Sequence, residues 1–350
     1  MIRLAALRLE QISVKGRCVP VHRHPLYRNR PKASYPVSER IHARTLTLSF
    51  LPREERRGRQ RRSALRRRGP RDIRGMKLTL GTAQLGMVYG VANTTGMPDA
   101  AAAHRLIRIA LELGIRSFDT APAYGSAEER LGAALAGRTD VVVVTKALGV
   151  ELERSVQCSR ERLRVSVIDH VLLHDASDLK TPGVVPALRR LVADGVARSV
   201  GASVYTPAEA HAVLEAGLTS LQVPINLLDQ RFVGLLDEVT VFARSAFLQG
   251  LLTLDPSRLP ARVSHCAPTL RALHEMCARF DVKPRDVALA YVAQLRGVTS
   301  VVVGAETEAQ IRECCDLVRR PLPTGLVEAL RSRFAAVDIA VIDPSRWGSP

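Results

Sequence analysis

Four residues able to move or hold a proton follow apolar runs at short distance. Asp119 and Tyr124 lie in FDTAPAYGSAEERLG, Lys146 closes VVVVTK, and His174 ends IDHVLLH. The set suits a proton donor built from tyrosine. A free phenol, with a pKa of about 10, gives up its proton reluctantly at neutral pH. A nearby ammonium favours the phenolate, a carboxylate holds that ammonium, and an imidazole hydrogen-bonds the oxygen of the reacting group. In this reading Asp119 orients Lys146, and Lys146 lowers the Tyr124 pKa. Taken singly each residue has a plainer role: an Asx turn, a surface aromatic, a solvated lysine, a core histidine. Their shared position at the ends of three consecutive apolar runs outweighs coincidence.

The elements that would place them recur. DAAAAHRLIRIALELG leads through a closing Gly into IRSFD. The same order appears in TPGVVPALRRLVADG before VARSVGAS and in TPAEAHAVLEAG before LTSLQVPIN. Helix, Gly stop and short apolar strand mark βα units. Ser126 with Glu129, Thr206 with Glu209, and Thr307 with Gln310 have the spacing of capping boxes. Strands are expected at 78–81, 116–119, 141–145, 168–174, 197–201, 220–223, 240–243 and 300–304. Their unbroken apolar runs suit parallel strands covered on both faces. Eight such strands with intervening helices predict an α/β fold, the (β/α)8 TIM barrel. A doubly wound sheet is disfavoured because no GxGxxG follows the first strand. In a barrel the four residues would share the carboxyl-terminal mouth.

The segments GTAQLGMVYG, FDTAPAYGSAEERLG, VVVVTKALG, GASVYTP, LQVPINLLDQR and VVVGAETEAQI, with LLH ending at His174, resemble in order the signatures of the aldo/keto reductase superfamily over residues 77 to about 320. The resemblance implies a reductase dependent on NADPH or NADH that reduces a small-molecule aldehyde or ketone, a sugar-like carbonyl among the candidates, to an alcohol. Its catalytic tetrad falls on Asp119, Tyr124, Lys146 and His174. Cofactor contacts fall on Ser203 and Gln222, with Asn226 nearby, on Arg244 where an aromatic commonly stacks, and on Gly304, Thr307 and Gln310 at the adenosine end. Three departures follow the same alignment. Val204 replaces a frequent Asn, Cys314 replaces the Asn expected to hold adenine, and Glu306 stands where a cation commonly meets a 2′-phosphate, so the resemblance does not choose between NADP and NAD. Met87, Tyr89 and Leu179 are candidate substrate contacts from the loops. The alternative reading is a regulatory or vestigial relative that binds the cofactor with little turnover.

The segment VGLLDEVT between LLDQRF and VFARS leaves little room for a helix before the seventh strand, since parallel strands normally need about a dozen residues to cross over. Residues 1–75 carry 21 Lys and Arg against 5 Asp and Glu, so they hold +16 of the net charge of +17. Such a leader cannot bury enough apolar area to order itself, and disorder is expected. A nucleic-acid arm would want a motif and more aromatics, and Glu54, Glu55 and its length speak against a transit peptide. The preferred reading starts the protein at Met76, with 76–350 as the barrel. No run of 18 apolar residues and no secretory signal is present, and the six cysteines lack metal-ligand or CxxC spacing. The expectation is a cytoplasmic protein without a metal, a membrane anchor or a nucleic-acid partner.

Overall fold

The computed structural model describes residues 77–237 and 239–347. The basic leader, and with it the expectation of disorder, lies outside the described residues. Eight strands close a parallel barrel in sequence order. They are β1 (Leu78–Gly81), β2 (Ser117–Asp119), β3 (Val142–Ala147), β4 (Ile168–Leu173), β5 (Ala197–Ser203), β6 (Ser220–Pro224), β7 (Thr240–Arg244) and β8 (Ser300–Gly304). Closure is made by β1 against β8, where Leu78 to Gly81 pair with Val301 to Gly304.

After a short helix α1 (Ala83–Gly86), the outer ring is built from α2 (Ala100–Glu112), α3 (Ala127–Ala134), α4 (Leu152–Leu163), α5 (Val184–Ala193) and α6 (Pro207–Glu215). It continues through α7 (Ala267–Ala278), α8 (Pro284–Gln294) and α9 (Glu308–Leu317), and α10 (Leu326–Arg333) and α11 (Ile339–Ile342) follow. Asp99 caps α2 by accepting from the Ala102 N–H. Thr206 and Thr307 make the expected capping boxes on α6 and α9. Ser126 does not, and this corrects the expectation. Its backbone, at φ −89° and ψ 13°, is not extended as a capping residue requires, so its hydroxyl makes no cap bond.

The sixth unit explains how the short segment closes the barrel. Among the described residues of 225–239 no helix forms, and the chain crosses in turns. The Asn226 side-chain oxygen accepts from the N–H groups of Leu228 and Asp229, and Asp229 pairs with Arg231 at 2.7 Å. Leu227, Leu228, Phe232 and Leu236 are buried beneath. The apolar side chains replace what a helix would have covered, and β6 still pairs with β7 from Ser220–Thr240 to Pro224–Arg244. The next unit has two helices, α7 and α8, before β8.

Inside the barrel, side chains stack in layers set by the two-residue period of the strands. The floor is polar: Thr79 Oγ1 is 2.8 Å from both Ser117 Oγ and Ser300 Oγ, and His170 Nδ1 is 2.9 Å from Ser220 Oγ. Above it, Val142, Val144, Leu172, Phe242 and Val302 form a dry plug. Asp119 on β2 and Gln222 on β6 stand two residues beyond the floor residues Ser117 and Ser220, while Lys146 on β3 and His174, just after β4, stand two residues beyond the plug residues Val144 and Leu172. A larger apolar core fills the space between strands and helices.

Candidate active site

Lys146 is nearly inaccessible and donates to both carboxylate oxygens of Asp119 at 2.8 Å, and to the Thr120 carbonyl at 3.0 Å. Gln222 Nε2 donates to the same carboxylate at 2.7 Å. A buried ammonium and carboxylate are tolerated because each is paired and hydrogen-bonded. The Lys146 nitrogen lies 4.9 Å from the centroid of the Tyr124 ring, and the Tyr124 and His174 rings meet edge to face at 6.0 Å. All four expected residues therefore meet at one mouth.

Tyr124 is placed by two glycines. Gly86 ends α1 and Gly125 follows the tyrosine with φ +59°. A Cβ on Gly86 would lie 1.9 Å from the Tyr124 carbonyl oxygen, and one on Gly125 would lie 2.2 Å from the Gly86 carbonyl oxygen. Only two bare backbones can approach so closely. Arg130 then donates to the Leu85 and Pro98 carbonyls and ties α3 to the first loop.

The electrostatics correct one expectation. The Tyr124 pKa is raised well above the ordinary phenol value, first by burial and then by the Asp119 carboxylate, while Arg244 opposes the shift. Burial, aided by the Lys146 and Arg244 charges, pushes His174 down to about 3. At neutral pH the site thus holds a protonated phenol and a neutral imidazole.

A groove of about 350 Å³ runs from Asp119, Tyr124, Tyr89 and Gln222 past Arg244 and the β7 loop to Gly304, Glu306, Gln310 and Cys314. Gly304 and Gly81 lie in its wall, and a Cβ on Gly304 would collide with the Gln84 amide. Ser203 is buried at the end of β5 beside Gln222. Thr307 and Gln310 are engaged with each other: Gln310 N donates to Thr307 Oγ1, and Gln310 Oε1 accepts from the N–H groups of Thr307 and Glu306. Asn226 serves the turn after β6. Of the substrate candidates, Tyr89 lines the groove, Met87 is exposed, and Leu179 is half-buried in the turn Ala176–Lys180.

Sequence reasoning missed Tyr205 and Arg285. The Arg244 guanidinium stacks 4.3 Å over the Tyr205 ring and donates to the Val204 carbonyl at 3.1 Å. The signal was the aromatic directly after Val204, at the carboxyl end of β5. Arg285, from the first turn of α8, enters the far end of the groove and pairs with Glu313. No local pattern announced it, since α8 and α9 meet only in the fold.

Comparison with known proteins agrees with this geometry. The chain is 28% identical over 297 residues to D-threo-aldose 1-dehydrogenase of a Pseudomonas species, covering 68% of this chain and 90% of that protein. It is 26% identical over 309 residues to L-galactose dehydrogenase of Arabidopsis thaliana, covering 78% and 93%. The fold matches an aldo-keto reductase from Bacillus halodurans in its holo form with a TM-score of 0.63 at 24% identity, covering 77% and 95%. The aldo/keto reductase family model matches residues 77–333, and the chain belongs to that family of oxidoreductases.

Proposed function

We propose that the protein reduces an aldehyde or ketone to an alcohol with a nicotinamide dinucleotide as hydride source. The observation that carries this reading is the Asp119–Lys146 pair beneath Tyr124 and His174, at one end of a groove lined by Gly81 and Gly304. The groove suits a dinucleotide because its lining reaches from Tyr124 to Cys314, its glycines leave the wall bare, and its proposed catalytic end offers the polar side chains of Gln222 and Arg244. Ser203, Gln222, Arg244, Gly304, Thr307 and Gln310 are the residues proposed to hold it. When bound, the reduced nicotinamide supplies a hydride to the carbonyl carbon.

The protein's own residues manage the oxygen. A neutral His174 donates one ring N–H to the carbonyl oxygen, as a charged imidazolium need not. Tyr124 keeps its proton at rest, because its pKa is raised. As the oxygen gains charge it becomes the stronger base, and the Tyr124 hydroxyl proton transfers to it. The phenolate left behind faces the Lys146 ammonium, 4.9 Å from the ring centroid, and the Arg244 charge. Lys146 thus acts after proton transfer, and Asp119 with Gln222 fixes where it stands. In reverse the same groups oxidise an alcohol. The substrate is proposed to be sugar-like, supported by the sugar substrates for which both relatives above are named.

The test is consumption of NADH and NADPH with aldoses, glyceraldehyde and simple aldehydes, in the wild type and Tyr124→Phe. Loss of the general acid should lower kcat about 10²–10⁴-fold. A folded wild type that binds nucleotide but turns over none of these substrates would favour the regulatory reading. Undiminished turnover in Tyr124→Phe would remove Tyr124 from the mechanism.

A further inference from the structure

With hydride transfer placed at Tyr124, the rest of the dinucleotide follows the groove to its far end. That end is formed by Glu306, Gln310, Glu313, Cys314 and Leu317 around α9, and by Arg285 of α8. NADH and NADPH differ only at the adenosine ribose, by one phosphate. Holding that phosphate takes free N–H donors or a surplus of positive charge.

The described residues of this end hold no surplus of positive charge, and several of their N–H donors are already engaged. Its charged groups are one guanidinium against two carboxylates, Glu306 and Glu313. Arg285 Nη2 already donates to Glu313 Oε2, and no described cation pairs with Glu306. Three backbone donors are also engaged: Glu306 N and Thr307 N donate to Gln310 Oε1 at 2.7 and 3.1 Å, and Gln310 N donates to Thr307 Oγ1 at 3.3 Å. The capping box therefore takes up part of the α9 amino terminus from within, where a phosphate would otherwise be received. A carboxylate repels a phosphate but accepts a hydrogen bond from a ribose 2′-hydroxyl, the discrimination that an Asp or Glu makes in other dinucleotide sites.

We infer that this chain selects NADH over NADPH, with Glu306 and Glu313 as the specificity-determining residues. Glu306 repels the 2′-phosphate directly, and Glu313 does so by withholding Arg285. The inference rests on the nicotinamide reading of the site.

The test is fluorescence titration of the full chain with NADH and with NADPH, independent of any substrate. NADH should bind at least about tenfold more tightly, a difference of about 1.4 kcal/mol. Glu313→Gln should strengthen NADPH binding by releasing Arg285, and adding Arg285→Gln should cancel that gain. The double variant Glu306→Gln, Glu313→Gln should bring the two affinities close to each other. Tighter binding of NADPH by the wild type, or an affinity ratio unmoved in the double variant, would overturn the inference while leaving the reductase reading intact. Failure of the folded chain to bind either nucleotide would overturn both.

Discussion

Lys146 and Asp119 illustrate how strongly one buried pair constrains its site. Both side chains are almost fully enclosed, and the ammonium bonds both carboxylate oxygens. Removing one partner strands the other charge, which costs about 3–5 kcal/mol, whereas replacing both with neutral groups costs far less. Lys146→Met should therefore unfold at markedly lower urea concentration than wild type. The double variant Lys146→Met, Asp119→Asn should regain much of that stability and none of the activity. If urea titration finds the double variant as unstable as the sum of the single ones, the pair is not coupled as described. The residue types of this site were legible in sequence because each sits at a strand end or, for Tyr124, in the loop that follows one. The direction of the Tyr124 shift was not legible, because it depends on how much water the fold removes and on how near the Asp119 carboxylate comes. The stacking of Arg244 on Tyr205 was likewise invisible, since it joins the ends of β5 and β7.

At the scale of elements, the contact of α1 with the loop before α3 positions Tyr124, the proposed proton donor. Gly86 and Gly125 meet backbone to backbone, and neither the Tyr124 carbonyl nor the Ala127 N–H can yield to an added methyl. Gly86→Ala should cost about 1–3 kcal/mol as overpacking does, and it should also lower kcat, because relief of the clash moves Tyr124. Gly137 provides the comparison. It has φ +77° but nothing within 4 Å of an added Cβ, so Gly137→Ala should lose stability by strain alone and keep its kcat. Equal kcat in the two variants would show that the glycine contact does not position the tyrosine. The repeating helix, Gly and strand order made the barrel legible in sequence, and the capping boxes of α6 and α9 were legible from spacing alone. Ser126 was misread because the same spacing says nothing about the backbone angle at the serine. The helix-free crossover after β6 was visible as a shortage of residues, while its solution, an Asx turn over buried leucines, depends on contacts made only in the fold.

The whole molecule adds a constraint through the barrel's interior. A polar floor of Thr79, Ser117, Ser199, Ser220 and Ser300 holds His170, which burial pushes down to about 4. An unfolded histidine titrates near pH 6.5. Between these values the unfolded chain binds a proton that the folded barrel refuses, so acidification favours unfolding. Stability should be fully present above about pH 6.5 and lost as the pH falls toward 4, at up to about 1.4 kcal/mol per pH unit from this residue. His174, held down to about 3, adds loss in the same direction. Its side chain is only half-buried, which weakens that contribution. The two are separable, because His170 lies beneath the apolar plug and His174 above it. His170→Asn keeps a hydrogen-bonding group for Ser220 and removes the titration. Urea unfolding at pH 7 and pH 5 should show a smaller drop for His170→Asn than for wild type, and equal drops would mean that the barrel floor admits the proton. The same protonation leaves the catalytic mouth untouched, so in the native state kcat should follow His174 and Tyr124 and not His170.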